Sequence, residues 1–263
     1  MPELLGRRII LTGGAQGIGA GLVKALVGEG ASVATLDVLE QEGTAVVAEA
    51  SALGPGNATF LRCDVSNRAE VFASFGTAVD QLGGLDVLVH VAAVSRPKNA
   101  EDISEEEWDG VLDINLKGTL FTNQAAFPYL KEAGGGRIMN FASTAGLVAY
   151  ARQRHYNASY AASKAAVLGF VRAIAYEWGK YGITVNAICP QMMTPMLEAA
   201  RSRRSPEELA KWEDELHEKM AIDGRPGQTE RDLAPFVVFM AGEGSRFITG
   251  QTLIVDGGKT LSR

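Results

Sequence analysis

What constrains this chain most is an alternation, carried almost from end to end, of short apolar runs with helical patterns. Arg8–Thr12 reads as a strand and Gly17–Gly28 as a helix; Ser32–Leu36 and Gln41–Leu53 repeat the pair, as do Ala58–Arg62 and Arg68–Gln81. Asp86–Val89 is a fourth strand, followed by one helical stretch after Ser104 and another reaching Lys131. Arg137–Phe141 precedes a long helix containing Tyr160 that runs to about Gly179, and Thr184–Ile188 precedes a charged insert. Thr229–Ala241 and Leu253–Val255 close the series as helix and strand. Strands alternating with helices build βαβ units, hence a mostly parallel sheet covered by helices on both faces. Asn67 with Glu70, Ser104 with Glu107, Ser205 with Glu208 and Thr229 with Asp232 have the spacing of capping boxes.

A length of 263 residues suits one α/β domain, and no linker or internal repeat divides the chain, so residues 1–263 are expected to form one unit. With 46% hydrophobic residues the chain can bury a sizeable core, and a net charge of -6 without a Lys/Arg run speaks against a nucleic-acid surface. Cys63 and Cys189 lack metal-ligand spacing and follow apolar runs, so they read as buried thiols, and no metal is expected. No apolar run approaches the roughly 20 residues needed to span a bilayer. The first residues carry charges without a signal-peptide core, which makes a cytoplasmic setting the expectation.

The first strand runs directly into Thr12-Gly13-Gly14-Ala15-Gln16-Gly17-Ile18-Gly19 and then a helix. Such a turn brings backbone N–H groups close to a phosphate, although a glycine-rich turn by itself is only a strand–helix connection. Asp37, ending the second strand about twenty residues on, adds an acid that can accept both ribose hydroxyl protons of an adenosine and repels a 2′-phosphate. Gln16 and Val38 supply no cation for such a phosphate, so NAD is expected over NADP. Asp64 and Val65 end the third strand at the same sheet edge, where an adenine would rest; an aspartate there also suits a helix cap.

Tyr160 and Lys164 are one helical turn apart, and an ammonium beside a phenol favours phenolate, as a general acid/base requires. Ser143, at the end of the preceding strand, is placed to hydrogen-bond the same reacting oxygen. A second Tyr-x-x-x-Lys, Tyr176 to Lys180, tests the pattern internally. At about 100° per residue, Tyr176 is rotated by about 160° from Tyr160, so only one pair can face a given cleft. Gly182 marks a helix stop beside the second pair, which reads as surface or interface.

Together these residues resemble the short-chain dehydrogenase/reductase family over nearly the whole chain. Thr12-Gly13-x-x-x-Gly17-x-Gly19 is similar to its cofactor loop, Asp37 to its NAD-selecting acid, and Ser143 with Tyr160-x-x-x-Lys164 to its catalytic residues. Asn115 in Asn115-Leu-Lys-Gly118 resembles the asparagine that helps hold a proton-relay water, and Asp256-Gly-Gly258 also fits. The resemblance implies a single-domain Rossmann-type, doubly wound parallel sheet of about seven strands with a small helical substrate lid at 191–225. It further implies hydride transfer between NAD and a secondary alcohol or ketone. Tyr160 would exchange the proton, Ser143 hold the oxygen, and Lys164 bind the nicotinamide ribose and depress the Tyr160 pKa. Gly13, Gln16, Gly17, Ile18, Gly19, Asp37, Asp64, Val65, Ala92, Tyr160, Lys164 and Thr194 are the implied cofactor contacts, and a homotetramer or homodimer built partly through the Tyr160 helix is the implied assembly. Taken singly, Ser143 could cap a turn and Asn115 could be an ordinary buried amide.

Three departures stand out. The family's Asn-Asn-Ala-Gly segment is His90-Val91-Ala92-Ala93 here; His90 reads either as a structural imidazole or as a second acid/base. The stretch between Ser143 and Tyr160 is longer than the family's, which makes Arg152, Arg154 and His155 candidate substrate contacts. The family's Pro-Gly turn is Pro190-Gln191, which unsettles the register of Thr194. Beyond it, Met192, Met193, Met196, Leu197 and Trp212 suggest an adaptable apolar lining, and a compact hydrophobic or alicyclic substrate. The alternatives are a 3-oxoacyl-thioester reductase of the same family, usually served by NADPH, and a non-catalytic NAD-sensing protein.

Overall fold

The computed structural model describes residues 3–148 and 157–260. Its strands are β1 (Arg8–Thr12), β2 (Ser32–Asp37), β3 (Asn57–Arg62), β4 (Val87–His90), β5 (Gly136–Phe141), β6 (Ile183–Pro190) and β7 (Thr252–Val255). They form one seven-stranded sheet in the order β3-β2-β1-β4-β5-β6-β7. Every pairing is parallel. The order reverses between β1 and β4, which opens a crevice at their carboxyl ends.

Both faces of the sheet are buried, as a parallel sheet requires. Ile9, Leu11, Val33, Val87, Val89 and Met139 face one way, packing with α1 (Gly17–Gly28), α2 (Glu40–Ser51) and α9 (Ala234–Ala241). Ile10, Leu36, Leu88, Ile138 and Val185 alternate with them and face α3 (Arg68–Leu82), α5 (Gly118–Glu132) and α6 (Ala158–Trp178). Cys63 and Cys189 are free and buried, and Cys189 joins the second of these layers.

The element order follows the sequence pattern, with physical reasons for each departure. Asp86 directly precedes β4, its backbone still bonded to Arg8 and Arg137 and its carboxylate held by the Arg8 guanidinium at 2.6 and 2.9 Å at the end of the sheet opposite the crevice. β6 extends through Pro190, since the N–H that proline lacks is not needed at the last strand position. The two expected helices after Ser104 are one rod, α4 (Glu105–Leu112) and α5 joined through a π-turn at Asp113–Lys117. Ser104 and Ser205 form complete capping boxes with Glu107 and Glu208. Asn67 caps α3, but Glu70 turns to the Asp64 amide, so that box is half formed. Thr229 caps nothing: it begins a π-turn, and Asp232 accepts instead from the Gln228 amide at 2.7 Å. The charged insert folds as two helices, α7 (Pro195–Ser202) and α8 (Pro206–Lys219). Among the described residues no helix is long and apolar enough to cross a membrane, and none group as a metal site.

Candidate active site

The glycine loop bends out of β1 into the crevice. Gly13 has φ +77, and a Cβ there would lie 2.6 Å from the Ala92 amide nitrogen, so only glycine allows the loop to rest on the segment that follows β4. A Cβ on Gly19 would lie 1.9 Å from the Gly13 carbonyl oxygen, which keeps α1 tight beneath the loop. The N-cap residue Gln16 is extended, exposed and makes no side-chain cap, so the first amides of α1 face the crevice without a side-chain acceptor. Asp37 is joined to this loop. Its Oδ2 accepts from the Ala15 amide at 3.0 Å and its Oδ1 from Leu39 at 3.1 Å. The carboxylate is thereby oriented while retaining lone pairs for a diol. Such a cradle fits an adenosine diphosphate unit.

Asp64 sits at the same edge, but its Oδ1 closes a turn by accepting from the Ser66 amide and hydroxyl at 2.9 and 2.7 Å. Val65 is buried, its side chain close against Gly118. Ala92 lies in the crevice with its amide donated to the Thr12 carbonyl at 3.1 Å. The methyl on Ala93 is exposed and its φ is not positive, so the residue does not need glycine's freedom. Gln191 likewise has no positive φ; its Oε1 accepts from Lys259 Nζ at 2.8 Å, and its backbone pairs with Val255 and Gly227.

Ser143, Tyr160 and Lys164 converge above β5. Ser143 caps the turn Thr144–Gly146, accepting from the Ala145 amide at 3.1 Å, and its hydroxyl is close enough to the Tyr160 phenol to lower the phenol's pKa. Capping the turn leaves the hydroxyl facing Tyr160. Lys164 is 3% exposed, with Nζ 2.7 Å from the Phe141 carbonyl and 5.7 Å from the centre of the Tyr160 ring. Burial lowers the Lys164 pKa to about 8. It also raises that of Tyr160, against a smaller lowering by Ser143. In the unliganded protein burial therefore sets the direction of both shifts, and the lowering of the phenol expected from the ammonium is not seen there.

Asn115 is fully buried in the π-turn. Its amide exchanges hydrogen bonds with Val94, accepting at 2.8 Å and donating at 2.9 Å, and donates to Ser163 Oγ at 3.0 Å. Ser163 in turn donates to the Tyr160 carbonyl at 2.7 Å. The side chain therefore braces the site, leaving any contact with a relay water to the backbone.

Sequence reasoning missed Ser163 and Gly146. A Cβ on Gly146 would lie 2.6 Å from the Ala165 amide nitrogen, so this glycine lets the Ser143 turn reach α6. A serine one turn after a candidate base was the available signal for the first; nothing local marks the second. The other tyrosine behaves as expected, with Tyr176 94% exposed.

Thr194 caps α7, its Oγ1 accepting from Leu197 at 3.2 Å, and a Cβ on Gly17 would lie 3.3 Å from Pro195 Cδ. The lid thus begins directly over the glycine loop. Its lining differs from expectation. Met192 is buried in the core and pairs with Gly227, turned away from the lid by that bridge. A cavity of about 530 Å³ under α7 and α8 does carry Met193, Trp212 and Leu216, but beside Glu198, Arg201, Glu213, Asp214, His217 and Arg225. Arg152, Arg154 and His155 lie outside the described residues.

A family model described as enoyl-(acyl carrier protein) reductase matches residues 13–260. The chain is 38% identical over 251 residues to the short-chain reductase protein NovJ of Streptomyces niveus, covering 95% of this chain and 92% of that one. It is 36% identical over 257 residues to a 3-alpha-(or 20-beta)-hydroxysteroid dehydrogenase of Mycobacterium tuberculosis, covering 97% and 90%. The structure of a short-chain type dehydrogenase/reductase from Mycobacterium marinum superposes with a TM-score of 0.88 at 29% identity, covering 99% of this chain and 98% of that one. The chain belongs to the short-chain dehydrogenase/reductase family, with the single-domain Rossmann-type fold that family shares.

Proposed function

We propose that this protein is an NAD-dependent oxidoreductase that interconverts a secondary alcohol and its ketone. The observation that carries the reading is the convergence of the Tyr160 phenol, the Ser143 hydroxyl and the buried Lys164 ammonium beside the crevice between β1 and β4. Tyr160 Oη would take the hydroxyl proton of the alcohol, Ser143 Oγ would hold the same oxygen, and Lys164 Nζ would bind the hydroxyls of the nicotinamide ribose. When bound, the dinucleotide supplies the hydride acceptor and a cationic ring, adding the positive charge that burial of Lys164 alone does not turn into an acidic phenol. Asn115 holds the π-turn whose backbone faces the relay.

The amides of Gly13, Gln16, Gly17, Ile18 and Gly19 are the pyrophosphate contacts in this reading. Asp37 takes the adenosine ribose, Asp64 and Val65 border the adenine, Ala92 backs the nicotinamide ribose, and Thr194 meets the carboxamide. Asp37 held against the loop, with exposed Gln16 and Val38 beside it, supports NAD over NADP. The steroid dehydrogenase relative supports an alicyclic substrate, and the charges of the lid cavity add polar groups on it. Self-association belongs to the same reading, with Tyr176 and Phe247 as aromatic surface for a second copy.

The test is thermal-shift titration with NAD and NADP, followed by NADH formation against cyclic and linear secondary alcohols. Stabilisation by NAD and turnover of an alicyclic alcohol are expected. Preference for NADP overturns the Asp37 argument and favours a 3-oxoacyl-thioester reductase; NAD binding with no turnover across a broad panel favours a sensor. Replacing Asp37 with Ser is expected to erode the NAD:NADP preference about tenfold or more.

A further inference from the structure

Period-two alternation places Thr12, His90 and Asn140 two residues beyond Ile10, Leu88 and Ile138, on the face that meets α5 and α6. The sheet register aligns them in one row, Thr12 beside His90 and His90 beside Asn140. Opposite them α5 presents Thr119, Thr122 and Asn123, and all six are buried. Most of this polar layer closes on itself. Asn123 and Asn140 exchange amide bonds at 2.8 and 3.0 Å, and Thr119 donates to the Asn115 carbonyl at 2.7 Å.

His90 does not close. Its Nδ1 lies 2.7 Å from Thr12 Oγ1 and 3.2 Å from Thr122 Oγ1, whose own proton serves the Gly118 or Thr119 carbonyl. Nε2 is buried and has no hydrogen-bond partner among the described residues. Whichever nitrogen carries the proton, one polar atom is left to be satisfied at Nε2. Burial, and then the charge of Lys164, lower the ring's pKa to about 3 and so favour its neutral form. A buried neutral ring favours the structural imidazole of the two readings of His90. Of the groups around the ring (Thr12 on β1, Asn140 on β5, Thr119, Thr122 and Asn123 on α5, Lys164 on α6), Lys164 is the charged one. An asparagine, as in the family pattern, reaches only as far as Nδ1; the imidazole carries a second nitrogen deeper. Lys164 has three protons, and one is spent on Phe141.

We propose that His90 is a positioning residue with two ends: Nδ1 pins Thr12 and the turn into the glycine loop, and Nε2 holds a buried water that hydrogen-bonds onward to the Lys164 ammonium. The second end deepens the dehydrogenase reading and rests on it for its catalytic effect; the first does not need turnover. A water with polar partners on both sides satisfies Nε2 at little entropic cost. By accepting from the ammonium side it favours charged Lys164, and through it a more acidic Tyr160.

Two substitutions separate the ends, because an asparagine amide overlays Nδ1 and a glutamine amide overlays Nε2. His90→Asn is expected to hold NAD affinity within about threefold while moving the acid limb of kcat for alcohol oxidation up by about half a unit. His90→Gln is expected to weaken NAD binding about tenfold and leave that limb in place. Parallel losses in both variants with an unshifted profile would mean that the ring is a spacer, and would overturn the proposal. Nitrogen-15 spectra of the His90 ring in the unliganded protein give a readout independent of NAD and alcohol. One neutral tautomer is expected, with the Nε2 resonance moving in Lys164→Met and Nδ1 staying put. An Nε2 resonance indifferent to Lys164 would overturn the water link even if the enzyme turned over as proposed, and its movement would uphold the link even if the alcohol panel failed.

Discussion

The same tyrosine-to-lysine spacing occurs near the start of helix α6 and again where that helix passes into the turn Gly179–Tyr181, and the two pairs have opposite fates. Tyr160 and Lys164 lie under the Ser143 turn against the end of β5, with Lys164 3% exposed and bonded to the Phe141 carbonyl. Tyr176 is 94% exposed, and the Lys180 ammonium rests 5.1 Å from the Tyr181 ring in a turn ended by Gly182 at φ +75. The spacing is the same in both places, but only the first pair lies wholly within the helix. Burial and a nearby hydroxyl distinguish one of them, because what the rest of the fold brings to a motif is not contained in its spacing.

The largest contrast is expected from removing each phenolic oxygen. Tyr160→Phe should lower kcat for alcohol oxidation by about 10²–10⁴-fold, the range general acid/base catalysis spans, while NAD still raises Tm. Tyr176→Phe should leave kcat within twofold, roughly the scatter of a neutral surface change. Steady-state kinetics and a thermal-shift titration on both variants decide this; equal effects would remove the distinction between the two ends.

The second contrast is made by Gly146, which lets the Ser143 turn approach α6. In Gly146→Val the new Cβ lies 2.6 Å from the Ala165 amide nitrogen and 2.8 Å from the Lys164 carbonyl carbon. Backbone cannot yield as a side chain can, so the turn must move and Ser143 with it. Urea unfolding should show a loss of about 1–3 kcal/mol, and kcat should fall more than NAD affinity does. A variant that unfolds normally and turns over normally would show that the close packing is incidental.

What was legible in the sequence divides along the same line. The glycine loop, Asp37 and the ends of β1 and α1 were readable because strand period, turn glycines and the acid are local signals. The complete caps at Ser104 and Ser205 were readable for the same reason. The π-turns at Asp113–Lys117 and Thr229–Leu233 were not, since they change the helical count without changing the hydrophobic pattern. Gly146 and Ser163 escaped because their roles lie in contacts made across the fold. The raised pKa of Tyr160 in the unliganded protein was not legible, because adjacency to an ammonium can be read from spacing whereas burial of both groups cannot. The lid's mixed lining was missed because methionines signal apolar contact without saying which side of the chain they face; Met192 turned inward to the core.

The smallest and most diagnostic contrast concerns the two lysines. In the folded protein the Lys164 pKa falls from an ordinary 10.5 to about 8. Below pH 8 both folded and unfolded chains carry the proton, so the folded state bears the full cost of burying the charge. Between pH 8 and 10.5 the folded chain gives up the proton first, and stability therefore rises with pH across that window by an amount on the order of 2–3 kcal/mol. Lys164→Met removes this dependence. At pH 7 it should stabilise the unliganded protein by about 1–2 kcal/mol, less than the full amount because the Phe141 carbonyl loses its donor. By pH 10 that gain should have vanished, while turnover is lost at every pH. Lys180→Met, at an exposed position, should stay within about 0.5 kcal/mol at either pH. Chemical unfolding of the three proteins at pH 7 and pH 10 measures all of this. A Lys164→Met variant less stable than wild type at pH 7 would mean that the buried ammonium is a structural asset, and that the two ends of α6 differ in exposure but not in what the fold gives up to hold them.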